Sequence, residues 1–211
     1  MKTKRVKVKY CGITNKEDLK DAVNSGVDAL GFILWPGSKR SVDIHRLILL
    51  STKVPVFVCR VGVFFNQSYD FISSCTPFLD SLQFHGNEHS KFCNLFKKPW
   101  IKALRMSHNI DLLMESEIYS KAYGLLLDTY CACLPGGTGK SFDWFKIKQN
   151  LNNNIILAGG LNSLNVNKAI KIVLPYAVDV AKGIELSEGI KDHYKMNAFA
   201  IAVNKANILF F

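Results

Sequence analysis

The chain has 211 residues, 48% apolar and 21% charged, which is ordinary for a globular domain and excludes a disordered, collagenous or low-complexity protein. No apolar run approaches the roughly 20 residues of a membrane span, since the longest, Val54 to Phe65, is broken by Arg60. The departure is charge: 27 Lys and Arg against 17 Asp and Glu leave +10 and a pI near 9.3, which points to an anionic partner, whether nucleic acid, a membrane surface or a phosphorylated small molecule.

The basic start, Met1 to Lys9, lacks the apolar core of a secretory signal, so the expected compartment is the cytoplasm and the six cysteines are expected as thiols. Val6 and Val8 alternate with Arg5, Lys7 and Lys9 and read as a first strand through Tyr10. Thr14 and Glu17 then have capping-box spacing ahead of a helix with Leu19, Ala22 and Val23 on one face, ended by Gly26. Ala29–Leu34 reads as a second strand, Asp43 opens a second helix, and Val56–Phe65 is a third strand, with Ser68 capping the helix after it. Ser81–Phe84, Trp100–Leu104, Tyr123–Leu127, Ile155–Ala158 and Ala177–Val180 supply five more strands. Helices are expected between them over Glu88–Phe96, Asp111–Lys121, Phe142–Gln149 and Asn162–Val173, and after Asp192 toward Leu209. Eight β–α units in one domain, 1–211, argue for an α/β fold of the (β/α)8 TIM-barrel type. A doubly wound open sheet is the alternative, because periodicity does not report closure.

In such barrels the chemistry sits where strands end and loops begin, so the residues that punctuate those points are the candidates. Cys11-Gly12 closes the first strand; as a base, Cys11 would need help from Lys7, Lys9 or the helix start after it. Asp128 ends a run of three leucines, a costly place for a carboxylate that neither is paired nor faces a site. Together, Cys11 and Asp128 read as an acid–base pair. Gly159-Gly160 after the seventh strand and Gly183 after the eighth put backbone N–H groups where this fold frequently holds phosphate. The fifth strand carries Lys102 and Arg105. His85 and His89 are four apart, but Gly86-Asn87 between them is turn chemistry, so no metal site is expected there. Gly136–Lys140 lacks the first glycine of a P-loop, and Cys131-x-Cys133 lacks zinc or redox spacing.

In order along the chain, C-G-I-T, G-F-I-L-W-P-G-S-K-R, V-G-V-F-F-N, L-Q-F-H-G, L-L-L-D-T, G-G-T-G-K-S-F-D-W, L-A-G-G-L-N and V-D-V-A-K-G-I-E together resemble the phosphoribosylanthranilate isomerase family of tryptophan biosynthesis, from about Val6 to about Ala202. The resemblance implies a barrel that needs no cofactor and performs an Amadori rearrangement of phosphoribosylanthranilate. It further implies Cys11 as general base, Asp128 as general acid, Arg40 on the anthranilate carboxylate, and Gly159, Gly160, Lys182 and Gly183 at the phosphate, with His85 and Asp179 in support. The family usually has two serines before the last glycine, where this chain has Ala181-Lys182, and the Thr129–Pro135 loop is unusual in composition. The expected partner is therefore the small-molecule substrate, without nucleic acid or membrane, in a monomer or homodimer.

The rival readings fit less well. Indole-glycerol-phosphate synthase would want further Lys and Glu at strand ends, and a bifunctional histidine-pathway isomerase would want Asp where Cys11 stands. A nucleic-acid binder would cluster its basic residues with aromatics, whereas these lysines are scattered. A barrel without turnover is the remaining alternative.

Overall fold

The eight strand-forming runs close into a ring in a computed structural model that describes residues 5–107, 109–129, 142–147 and 151–210. The strands are β1 (Lys7–Cys11), β2 (Ala29–Ile33), β3 (Cys59–Phe64), β4 (Ser81–Phe84), β5 (Trp100–Met106), β6 (Gly124–Thr129), β7 (Asn154–Leu157) and β8 (Ala177–Val180). Each pairs in parallel with its neighbours, and β8 pairs with β1 through Lys9↔Asp179 and Tyr10↔Val180, so the sheet is a closed barrel rather than an open one. The helices α1 (Lys16–Asn24), α2 (Ile44–Ser51), α3 (Tyr69–Cys75), α4 (Ser90–Cys93), α5 (Leu112–Ile118), α6 (Val166–Val173) and α7 (His193–Phe210) complete the chain.

Alternation along each strand sorts residues between two buried layers. Outward-facing Val8, Tyr10, Leu30, Phe32, Leu82, Phe84, Leu125 and Leu127 belong to the main core. Each such side chain removed from water contributes about 1.5–3 kcal/mol. Tyr10 shows how a helix is fixed: its ring packs on Phe199 of α7, and its hydroxyl donates to the Met196 carbonyl at 2.7 Å. Inside the ring, Ile101, Ala103, Leu126, Ile156, Ala158 and Ala177 form a smaller apolar cluster. The buried polar residues Lys9, Gln83 and Asp179 share the alternation phase of that inner cluster or pair directly with it.

The caps at Asp43, Ser68 and Asp192 form as expected. The cap of α1 does not: Asn15, not Thr14, accepts from Asp18 N at 2.7 Å, while the Thr14 hydroxyl reaches across to the Gly189 carbonyl. α6 also begins later than expected. Asn162 and Asn165 bond each other's backbone in a turn that delays the helix to Val166. The expected Glu88–Phe96 helix is a short α4 followed by a 3-10 turn. A hairpin of β9 (Glu185–Ser187) and β10 (Ile190–Lys191), which carries too few residues to show a period, sits between β8 and α7. Of the expected Phe142–Gln149 helix, the described part is a 3-10 turn at Trp144–Lys146. Cys131, Cys133 and Gly136–Lys140 lie outside the described residues.

Candidate active site

β1 delivers Cys11 to the mouth of the barrel with its side chain inward and buried. Gly31 on β2 stands opposite, and its lack of a side chain makes room: a Cβ there would sit 2.9 Å from Cys11 Sγ and 3.1 Å from Lys9 Nζ. Thiol and ammonium therefore share one small space, two residues apart on the same face of β1. Lys9 is fixed by an ion pair to Asp179 on β8, Nζ–Oδ1 2.8 Å, with both groups almost fully buried. Burial pushes the Cys11 thiol above its ordinary value, and the charges of Lys9 and Lys191 pull it part of the way back. Burial also opposes the charge on Lys9, but Asp179 and Cys11 outweigh it and hold the ammonium firmly protonated. Lys7, the other strand cation near the thiol in sequence, instead donates to the Tyr176 hydroxyl at the start of its strand.

The hairpin closes the other side of Cys11. Lys191 Nζ donates to the Cys11 carbonyl at 2.7 Å and pairs with Glu185 at 3.0 Å. Arg40 lies along Gly12, whose φ of 76° and absent side chain admit its stem. Its Nε and Nη2 grip the two oxygens of Glu185 at 2.7 Å each, so the two-toothed edge of this guanidinium is engaged and Nη1 remains. Burial would raise the Glu185 carboxyl, but Arg40 and Lys191 hold it below its ordinary value.

Asp128 stands on β6, buried, with Oδ1 accepting from Thr129 N at 2.7 Å. His85, at the end of β4, brings Nε2 to 3.6 Å from Asp128 Oδ2, close but too long for a hydrogen bond. Gln83 Nε2 contacts His85 Nδ1 at 3.2 Å. Among the described residues, Gln83 Oε1 and His85 Nε2 are buried without a hydrogen-bond partner.

β7 and β8 build the remaining wall. Gly159 and Gly160 have φ of 79° and 65°, a backbone path open to glycine at little cost. Gly183 packs so tightly on the Leu161 carbonyl that no Cβ fits, which locks the two loops together. Asp128, Gly159, Gly160, Asp179, Lys182 and Gly183 all line one cavity of about 190 Å³. The sequence-derived candidates thus assemble at one end of the barrel. Lys9, Gln83, Glu185 and Lys191 are not among them. On sequence Lys9 enters only as one possible helper of Cys11, Gln83 and Glu185 stand in the L-Q-F-H-G and V-D-V-A-K-G-I-E blocks without an assigned role, and Lys191 carries no motif. His89 stands apart, at the start of α4.

A closed (β/α)8 barrel with a thiol and a carboxyl at its mouth, beside a glycine-built cavity between β7 and β8, is the architecture of a barrel enzyme for a small-molecule substrate. The family model for N-(5'phosphoribosyl)anthranilate isomerase matches residues 8–202. Relatives include the N-(5'-phosphoribosyl)anthranilate isomerases of Chromohalobacter salexigens, 50% identical with 95% of each chain covered, and of Pseudomonas putida, 47% identical over 95% of this chain and 98% of that one. The phosphoribosyl anthranilate isomerase structure from Thermotoga maritima superposes with a TM-score of 0.88 at 36% identity, covering 95% of this chain and 99% of that one. The chain belongs to the N-(5'-phosphoribosyl)anthranilate isomerase family. It is an isomerase of tryptophan biosynthesis whose reaction is the Amadori rearrangement of phosphoribosylanthranilate.

Proposed function

We propose that Asp128 and Cys11 carry that rearrangement as general acid and general base. The substrate is an aminoaldose, and its furanose opens when a proton reaches the ring oxygen as the C1–O bond breaks. Asp128 supplies that proton. The Schiff base so formed between C1 and the anthranilate nitrogen acidifies the proton on C2. Cys11, as thiolate, removes it, and the enolamine tautomerises to the ketone, 1-(2-carboxyphenylamino)-1-deoxyribulose 5-phosphate. The observation that carries this reading is the inward thiol of Cys11 beside the Lys9 ammonium, across the mouth from Asp128.

The phosphate rests in the β7–β8 cavity, on the backbone of Gly159, Gly160 and Gly183, with the exposed Lys182 adding charge where the family usually has serine. Remote binding there orients the sugar between acid and base. Arg40 offers its remaining Nη1 to the anthranilate carboxylate. His85, with its unpartnered Nε2, meets a substrate oxygen beside Asp128, and Asp179 supports the base by holding Lys9. On this reading the partner is a small molecule rather than nucleic acid or membrane, the compartment is the cytoplasm, and the enzyme works as a monomer or homodimer. No helix among the described residues is long and apolar enough to cross a membrane.

The test is turnover of freshly formed phosphoribosylanthranilate, followed by loss of its anthranilate fluorescence. The wild-type protein accelerates that loss, and Asp128→Asn slows it about 10²–10⁴-fold. A nearly normal Asp128→Asn enzyme would refute the assignment of the acid.

A further inference from the structure

Several of the described cations around the mouth are already committed to acids, whereas Lys182, exposed at the phosphate cavity, and Arg105 have no ion pair among the described residues. Lys9 is held by Asp179, and both Arg40 and Lys191 are held by Glu185. Arg105 is different. It stands on β5 in register with Asp128 on β6, two residues beyond Ala103 and four beyond Ile101, which line the barrel interior, so it shares their inward direction. Among the described residues it has no ion pair, and segment 130–141, directly after β6, contains neither Asp nor Glu. Its guanidinium lies 5.4 Å from the centre of the Phe65 ring, and Phe65 in turn packs on Trp35, with centroids 4.8 Å apart and planes tilted by 35°.

This aromatic pair with an open cation faces the phosphate end. In a ring of eight strands β3 lies opposite β7, so Phe65, which follows β3, is across the mouth from Gly159-Gly160, with Trp35 packed beside it. A substrate anchored by phosphate at β7 and β8, and reacting between β6 and β1, extends its other end toward them. That other end is an aromatic ring bearing a carboxylate.

We propose that Arg105 reads the carboxylate of the anthranilate ring, as a second cation beside Arg40, with Trp35 and Phe65 forming the surface against which the ring packs. Arg40 has one donor nitrogen left, whereas the Arg105 fork is open to a two-oxygen acceptor and already shielded on one face by Phe65. The inference rests on the isomerase mechanism proposed for Asp128 and Cys11 and adds a specificity determinant to it.

Calorimetric binding of two compounds tests it. One is reduced 1-(o-carboxyphenylamino)-1-deoxyribulose 5-phosphate, the compound bound in a related structure, and the other is its counterpart without the ring carboxyl. Arg105→Gln should weaken the carboxylated compound about 10–100-fold, the scale of one charged hydrogen bond, and leave the counterpart unchanged. Arg105→Lys should recover part of the loss. Equal weakening of both compounds, or of neither, would overturn the proposal. Wild-type protein that binds neither compound would instead overturn the assignment of the site, and this inference with it.

Discussion

Two buried lysine–carboxylate pairs lie on opposite sides of the same sheet. Lys9 and Asp179 are inside the barrel, 2.8 Å apart, and Lys102 and Glu88 are outside it under the helices, 3.0 Å apart. Both pairs are almost fully buried, so burial and pairing do not tell them apart. Their neighbours do. Lys9 shares its space with the Cys11 thiol. Lys102 instead donates to the Gly86 carbonyl and lies over the Tyr119 ring, and Glu88 accepts from Asn66 N, so this pair pins the loops after β3 and β4. Under the proposed mechanism, only the pair that faces the barrel interior bears on the chemistry, and the pair under the helices serves the fold.

Substitutions can break or sharpen that contrast. The largest effects should fall on the residues above the inner pair: Cys11→Ala, like Asp128→Asn, lowers kcat/KM about 10²–10⁴-fold, while thermal unfolding shows the fold retained. Lys9→Met comes next. Lys9 favours the thiolate, so its removal leaves the Cys11 proton bound to higher pH, and activity at neutral pH falls about tenfold for each pH unit moved. Asp179 disfavours the thiolate, so Asp179→Asn should move the Cys11 titration the other way. Lys102→Met should cost about 3–5 kcal/mol of stability in denaturant unfolding, because it strands Glu88, with the pH profile of turnover unchanged. The smallest effect is expected far from both pairs: Asn15→Ala loses about 1 kcal/mol as a cap and leaves kinetics intact, whereas Thr14 caps nothing.

The strands were legible because fully buried parallel strands are continuous apolar runs, such as Leu125-Leu126-Leu127, between turn signals. Cys11, Asp128, Gly159, Gly160 and Gly183 were legible for a related reason: each interrupts the apolar pattern at a strand end. Lys9 was legible only as one of three possible helpers of Cys11, beside Lys7 and the helix start, because sequence leaves its direction open; in a closed barrel both faces are buried, and here Val8 joins the outer core while Lys9 points inward. Alternation reports that two faces differ, not which of them is the inside. Glu185 and Lys191 escaped because a hairpin of three and two residues carries no period, although it places the two charges that flank Cys11 and Arg40. Asn162 does not cap the helix directly because asparagine pairs equally well with its own turn, which is what it does with Asn165.

Part of the excess positive charge also finds a place. Lys9, Arg40 and Lys191 are neutralised locally, while Arg105 and Lys182 have no ion pair among the described residues and, on the proposed reading, meet the carboxylate and the phosphate of the substrate. The most direct measurement of the division between the two pairs is the pH dependence of kcat/KM for phosphoribosylanthranilate in wild type, Lys9→Met and Lys102→Met. The rise with pH assigned to Cys11 should move upward in Lys9→Met, which loses the charge that favours the thiolate, and stay at the wild-type position in Lys102→Met. Coincident profiles for wild type and Lys9→Met, or an equal displacement in Lys102→Met, would contradict a chemical role for the inner pair alone.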